Sequence, residues 1–478
     1  MSENSTQHTA TRYGRSVVGA AWLAVFCLFG YRATFAILKG PMGLTLGWSA
    51  AEVTLGYSAM MVVYAATAYF SGVMLDRWGA RPVYAAAAVL GGLGFALTAH
   101  IHTYAAYLVT FGLLGGLATG MLWVTSTVSV RRWYIGNTYA ARWGIAFAGA
   151  PLAQFALAQL VRPRLSAAQA TLEATLETTV FAAPDVDAAT VSIAEALANP
   201  LIRAQAPVAA ALSALDAAWR TEMLLLGGIV LVMLALAALI ARRHPEHYGM
   251  TPFGAESVHT AHAPHVWPLR DAFSRYPIWG VMLAFLTSMM AEFLIWTQVV
   301  SYWTDDVGYS FQQATGIYAV IGLVGIVSMP LLGRAADGLV AAVSHEARGR
   351  KVMLLIGPLT GAAACGLLLA SQNLALAYAA CVLFAVYWAI VPGSVVGYAG
   401  AIYGRASLGR IWGLATLIVM GIGPFAGSYI GGLLRDLTGS YTYAIYYALG
   451  SFLASALLAT TLPLALRESL TENASPVL

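Results

Sequence analysis

The chain has 478 residues, of which 59% are apolar and only 10% charged, with a formal net charge of +4. Soluble domains carry about 25% charged residues, and a water-soluble fold of this length cannot hide so much apolar surface. That excludes a soluble protein and makes a bilayer the solvent. The charge is mild and forms no basic patch, so nucleic acid is not an expected partner. The three cysteines, Cys27, Cys365 and Cys381, lack paired spacing and support neither a disulfide framework nor a metal site.

Residues 1–15 form a polar tail. The first apolar run, about 16–38, is too long for a signal-peptide core and lacks a small-x-small cleavage pattern, so it reads as a retained helix. Runs long enough to cross about 30 Å of hydrocarbon follow at about 50–74, 82–100, 104–129, 141–161 and 220–241. Between the last two, residues 162–219 are Ala-rich and acidic, with Leu172, Leu176 and Val180 at helical spacing and Pro184 and Pro200 as punctuation. This segment reads as two or three short amphipathic helices, with a disordered acidic loop as the alternative. Residues 242–277, rich in His and Pro, read as a linker. Six further runs lie at about 278–303, 312–334, 352–371, 374–398, 410–434 and 442–465, before a tail at 466–478. Only Ser371, Gln372 and Asn373 divide the ninth run from the tenth. The expected fold is an all-α membrane protein of twelve transmembrane helices, in two six-helix halves at 16–241 and 278–465.

Orientation follows from Arg and Lys. With the N-terminus inside, eighteen of the 25 basic residues fall on the cytoplasmic side, six fall outside, and Arg32 lies within a span. This bias predicts a multi-pass inner-membrane protein with both termini cytoplasmic and 162–219 in the periplasm.

The most specific motif is Gly72-Val73-Met74-Leu75-Asp76-Arg77-Trp78-Gly79-Ala80-Arg81, after the second run. A partner, Gly333-Arg334-Ala335-Ala336-Asp337-Gly338, follows the eighth, and both the glycines and the aspartates are 261 residues apart. Glycine lets two helices approach closely. An aspartate at a helix end accepts hydrogen bonds from a neighbouring helix N-terminus and from Arg. Two copies in register, six spans apart, describe parallel halves and a conformational gate built from Gly72, Asp76, Arg77, Gly79, Arg81, Gly333, Arg334 and Asp337.

The motif has the form G-x-x-x-D-R-x-G-x-R, and the chain resembles the major facilitator superfamily along essentially all its length except 162–219. Within it the chain looks most like the monocarboxylate porter and oxalate–formate exchanger branch, through Gly47-Trp48-Ser49, Ala218-Trp219-Arg220, Pro245-Glu246-His247-Tyr248-Gly249 and Asp436-Leu437-Thr438-Gly439-Ser440-Tyr441. The resemblance implies secondary transport of small organic acids, with protons or by exchange, through alternating access. The chain departs from the branch at Met329, which stands before Pro330 where the branch carries a substrate-binding Arg, and in lacking a Lys in the eleventh span. Arg32 falls where monocarboxylate carriers keep a Lys.

Ionisable groups at membrane depth cost about 2.5–3.5 kcal/mol on insertion scales and default to functional hypotheses. Arg32 and Glu292 qualify, each roughly 21–24 Å from the cytoplasmic end of its span at 1.5 Å per residue. Adding the repeat offset to Arg32 lands beside Glu292, so the two are expected to face each other across a central cavity. Arg32 is the candidate for binding a carboxylate and Glu292 for coupling protons. Snorkelling to the outer interface is the bland reading of the first, and neutral packing that of the second. Tyr31, Phe35, Tyr57, Tyr64, Trp123, Gln154, Trp296, Gln298, Tyr318, Tyr387 and Trp388 are candidate substrate-binding groups, although residues of these types more often pack than bind.

No Walker, H-E-x-x-H or G-x-S-x-G pattern supports ATP drive or hydrolysis, so no enzyme activity and no cofactor are expected. The leading expectation is a secondary active transporter of a small organic anion, a monocarboxylate, coupled to protons. An amphipathic, zwitterionic or aromatic substrate is the alternative, and a non-transporting membrane sensor reading ligand through 162–219 is a third. The expected partners are the substrate, protons and the bilayer, with no obligate protein partner. Symport or antiport, and uptake or export, stay open.

Overall fold

The computed structural model describes residues 3–48, 50–181, 193–255, 266–309, 311–370 and 373–465, without some side chains, that of Arg32 among them. Pro184, the 371–372 break and the 466–478 tail lie outside the described residues. Among the described residues, twelve helices are long and apolar enough to cross a membrane. Without water, a spanning segment must satisfy its own backbone, and the α-helix does so within one run. The first half comprises α1 (Glu3–Leu46), α2 (Ala50–Trp78), α3 (Ala80–Thr98), α4 (Tyr104–Trp133), α5 in two pieces (Tyr139–Phe147 and Gly149–Leu176) and α6 (Ala206–Ile240). The second comprises α7 (Tyr276–Ser301), α8 (Phe311–Val343), α9 (Glu346–Leu369), α10 (Leu374–Tyr403), α11 (Leu408–Thr438) and α12 (Thr442–Thr460). Among the described residues the β-structure is one isolated bridge, Tyr134 to Phe253.

Local chemistry sets the ends. Asn373 accepts from the Ala375 amide at 2.9 Å and starts α10, which is why a three-residue break divides two long apolar runs. Gly439, left-handed at φ 75°, terminates α11.

Residues 162–219 differ from the short separate helices expected there. The second piece of α5 runs on to Leu176 and α6 begins at Ala206, so the segment is mostly two spans prolonged beyond the membrane. Among the described residues, Glu177–Phe181 continues α5 as a π-helical turn, and Ile193–Ala198 and Pro200–Arg203 are short helices. The reason lies in the composition, since after Pro163 the Ala-rich chain carries no helix breaker until residue 184. Leu172, Leu176, Leu197, Val208, Leu212 and Leu215 form a small core of their own, with Leu44 of α1 packed against it. Arg203 donates to the carbonyls of Leu44 (3.1 Å) and Thr45, and Trp219 Nε1 donates to Thr45 Oγ1 at 2.9 Å. The hairpin thus clasps the outer end of α1.

At the opposite face, which carries the N-terminus and is here termed the terminal face, the linker is shared between the halves. Phe253 exchanges backbone hydrogen bonds with Trp133 and Ile135 of the first half (both 2.9 Å) and stacks on Tyr134. Trp267 packs edge-on against Tyr403 of the second half.

Candidate functional site

Across the halves, α2 packs on α11 and α8 packs on α5. Their close approach is local and depends on glycine. A Cβ on Gly72 would fall onto the Gly409 carbonyl oxygen, and one on Gly333 onto that of Ala140. Each glycine brings its aspartate into a lock. Asp76 accepts from Arg132 of α4 and, at 2.9 Å, from the Arg410 amide at the start of α11. Asp337 accepts from the amides of Ala140 (2.8 Å) and Ala141 (2.7 Å) at the start of α5, and from Arg350 Nη2 at 3.0 Å. Arg350 also donates to the Gly136 carbonyl at 2.7 Å. Beside it, Arg131 of α4 pairs with Glu346 of α9 at 2.8 Å, and both guanidinium groups lie over the Tyr139 ring. Arg405 of the α10–α11 turn adds bonds to Glu246 of the linker (2.7 Å) and to the Arg132 carbonyl (3.2 Å). These contacts close the terminal face.

The other gate candidates do not enter the locks. Arg77 and Arg334 are exposed. Gly79, at φ +83°, makes the turn from α2 to α3, and Arg81 donates to the Ala241 and Leu239 carbonyls, tying α3 to the end of α6.

Beyond the locks the halves enclose a cavity of about 30 Å³, room for roughly one water. The first half contributes Phe29, Tyr64, Trp123 and Phe147, and the second Phe285, Met289, Glu292, Phe293, Trp388 and Met420. Trp388 reaches across to Phe29 and Phe147, with ring centroids 5.9 and 5.6 Å away. Glu292 sits sixteen residues from the start of α7, about 24 Å along it, and is 5% exposed. Its Oε2 accepts from the Tyr387 hydroxyl at 2.9 Å, and its Oε1 from Trp296 Nε1 at 3.4 Å. Tyr387 has one proton to give, so Ser288 Oγ, 2.6 Å away, donates to it in turn. A hydroxyl chain therefore ends on a carboxylate at the cavity wall.

The structure brings only part of the expected binding set together. Tyr64, Trp123, Glu292 and Trp388 line the cavity, with Tyr387 and Trp296 directly behind them. Tyr318 donates to the Trp296 carbonyl at 3.4 Å. Arg32 follows the cavity-lining Phe29 by three residues on α1, and its side chain lies outside the described residues. Tyr31 turns into the first half, packing on Phe95 and Phe111 and donating to the Phe111 carbonyl at 3.3 Å. Phe35 and Tyr57 stack on each other at 4.8 Å within that half. Gln298 ties α7 to α11 through the Ser428 carbonyl at 3.2 Å, and Gln154 is half-buried on α5. Sequence reasoning passed over Arg132, Arg350, Glu346, Arg131 and Tyr139 of the locks. The i,i+4 spacing of Glu346 and Arg350 beside the second motif was a usable signal. It also passed over Phe29, Phe147, Phe285 and Met289 of the cavity, which look like any lipid-facing residue.

Comparison with known proteins bears on this architecture. The profile of the Major Facilitator Superfamily matches residues 21–165 and 188–428. An uncharacterized transporter of that type from Escherichia coli K12, YhjX, is 26% identical over 101 residues, which spans only 21% of this chain and 25% of YhjX. Among solved structures, the E. coli fucose:proton symporter FucP aligns over 92% of this chain and 97% of its own, with a TM-score of 0.63 at 15% identity. The human organic anion transporter MFSD10 aligns over 94% and 99%, with a TM-score of 0.60 at 15% identity. Twelve spans, paired locks across two halves and a profile match over well over half of the sequence lead to one assignment: the chain belongs to the Major Facilitator Superfamily.

Proposed function

We propose that the protein is a secondary active transporter of a small organic anion, a monocarboxylate with a flat apolar body, coupled to protons through Glu292. The terminal face is cytoplasmic in this reading, because the Arg and Lys bias assigns it so, and the membrane is the inner membrane. One observation carries the proposal. A buried carboxylate, held by Tyr387 and Trp296, stands at mid-membrane depth in a cavity that both halves close around. An ionisable group is retained at such a place when it works. Arg32, three residues after the cavity-lining Phe29 on α1, takes the substrate carboxylate in this reading, and its fork suits two oxygens. Arrival of that carboxylate competes with Glu292 for positive charge and favours a proton on Glu292, which links the two by differential affinity. The aromatic walls favour a planar apolar body over a polyol, since each buried hydroxyl needs a partner and the described lining is mostly carbon. A proton symporter and an organic anion transporter share this fold, so both parts of the reading have precedents in the architecture.

The same walls favour a second reading, an aromatic or zwitterionic substrate. A thermal-shift screen of the purified protein separates the two, because ligands that bind the native state stabilise it. Aliphatic and aromatic monocarboxylates should raise Tm, and amino acids and uncharged aromatics should not. In proteoliposomes loaded with the best ligand, Glu292→Gln should retain exchange but lose accumulation driven by a pH gradient. Arg32→Ala should weaken anion binding by about a hundredfold, roughly 2.7 kcal/mol. Proton-driven uptake at wild-type level by Glu292→Gln would remove the coupling role. Undiminished anion affinity in Arg32→Ala would point to the second substrate class.

A further inference from the structure

The α5–α8 lock has a neighbour that locking does not explain. Between the start of α5 and the end of α8 the terminal face holds an open cleft of about 370 Å³. Its floor is Asp337, whose two oxygens are already taken by Ala140, Ala141 and Arg350. Its walls carry Arg142 from the first half and Arg334 from the second, with Asn137 beside them. Both arginines are exposed, and among the described residues neither makes a hydrogen bond or ion pair. Arg142 is positioned only by the Tyr134 ring, 5.5 Å below its guanidinium. Thr138, Ala141, Ile145, Gly338 and Ala341 complete the lining.

Charge decides what fits. Arg350 cancels Asp337, so the cleft presents two unspent guanidinium groups and an amide. Two like charges held in one cleft repel each other unless an anion sits between them. A tetrahedral oxyanion offers each fork a pair of oxygens. On the other interface the Arg410 guanidinium faces Asp76 at 3.5 Å, and Arg77 is exposed.

We propose that this cleft binds a phosphate group, and that its occupant is the headgroup of an anionic phospholipid. The cleft lies at the terminal face, beside the first turns of α5, and basic pockets between helices on the cytoplasmic side select such lipids. The choice of lipid rests on the orientation proposed above, whereas the phosphate chemistry does not. Because the arginines belong to different halves, a bound phosphate bridges them and favours the state closed at the terminal face.

The test uses the full chain in nanodiscs of neutral phosphatidylcholine, with and without phosphatidylglycerol, and separately with inorganic phosphate. Phosphatidylglycerol should raise Tm and co-purify with the wild type. Arg142→Gln and Arg334→Gln should each weaken that retention roughly tenfold, and the double variant should abolish it. Arg77→Gln, at the other interface, should respond as wild type, which separates a built site from diffuse basic charge. If inorganic phosphate in neutral discs gives the same double-arginine-dependent shift, the phosphate site stands but its ligand is soluble. A lipid response equal in wild type and double variant overturns the proposal. All arms read binding and stability, so they report independently of whether the transported substrate is an organic anion.

Discussion

The two locks come from one motif and hold their helices with unequal means. Asp76 receives one backbone amide, Arg132 and, at 3.5 Å, the Arg410 guanidinium, and Asp76 and Arg132 keep some exposure, 10% and 8%. Asp337 receives two backbone amides and Arg350, which is fully buried and in turn holds the Gly136 carbonyl. A second cross-half pair, Arg131 with Glu346, lies beside it over the shared Tyr139 ring. The α2–α11 interface is therefore a single clasp and the α5–α8 interface a buried network. Sequence repetition gives two equivalent positions; packing makes one of them the heavier. A rocking transition that opens the terminal face should release the α2–α11 side at lower cost.

Substitutions can break or sharpen that contrast. A cysteine at Ser129, buried on α4 near the locks, reports opening through its maleimide labelling rate, in a background without the three native cysteines. The largest effect is expected from Asp337→Asn. It sets an amide NH2 against a backbone N–H and leaves the buried Arg350 only Glu346, 3.7 Å away, as countercharge, at about 3–5 kcal/mol, and labelling should rise by at least a hundredfold. Asp76→Asn should cost less, about 1–2 kcal/mol. Arg132 keeps its bond to the Leu75 carbonyl, and the amide oxygen can still accept from Arg410. An equal response of the two variants would abolish the asymmetry. The smallest effect is expected at Arg77, exposed despite its place in the motif, where Arg77→Gln should shift opening by less than about 0.5 kcal/mol. A larger shift would mean that Arg77 acts in a state other than the closed one.

The twelve spans were legible because bilayer thickness imposes a length that composition reveals directly. The motif was legible because Gly and Asp at those positions have few other reasons to recur at a fixed offset. Lock partners were harder to read. Arg132 lies 56 residues from Asp76 and nothing local distinguishes it from a topology-setting arginine, whereas Arg350, 13 residues from Asp337, is marked only by its i,i+4 spacing from Glu346. The cavity was the least legible region. In a membrane bundle both the lipid face and the cavity face are apolar, so the amphipathic signal that orients a soluble helix is missing. Phe29 and Phe147 therefore escaped notice, while Tyr31, a plausible ligand group by residue type, turned inward to fill the space left by Gly115. Glu292 could be picked out because an ionisable group is costly at that depth.

The clasp on α1 has a bearing on synthesis. The outer end of the first helix finds its caps in Arg203 and Trp219, the latter 174 residues downstream of Thr45. At roughly 5–20 residues per second, the ribosome needs about 9–35 s to deliver that tryptophan. During this interval α1 is inserted but its last carbonyls lack their final partners, and the first half cannot be complete before α6 leaves the ribosome. The hydrogen bonds at this end of α1 therefore form only after Arg203 and Trp219 have been made.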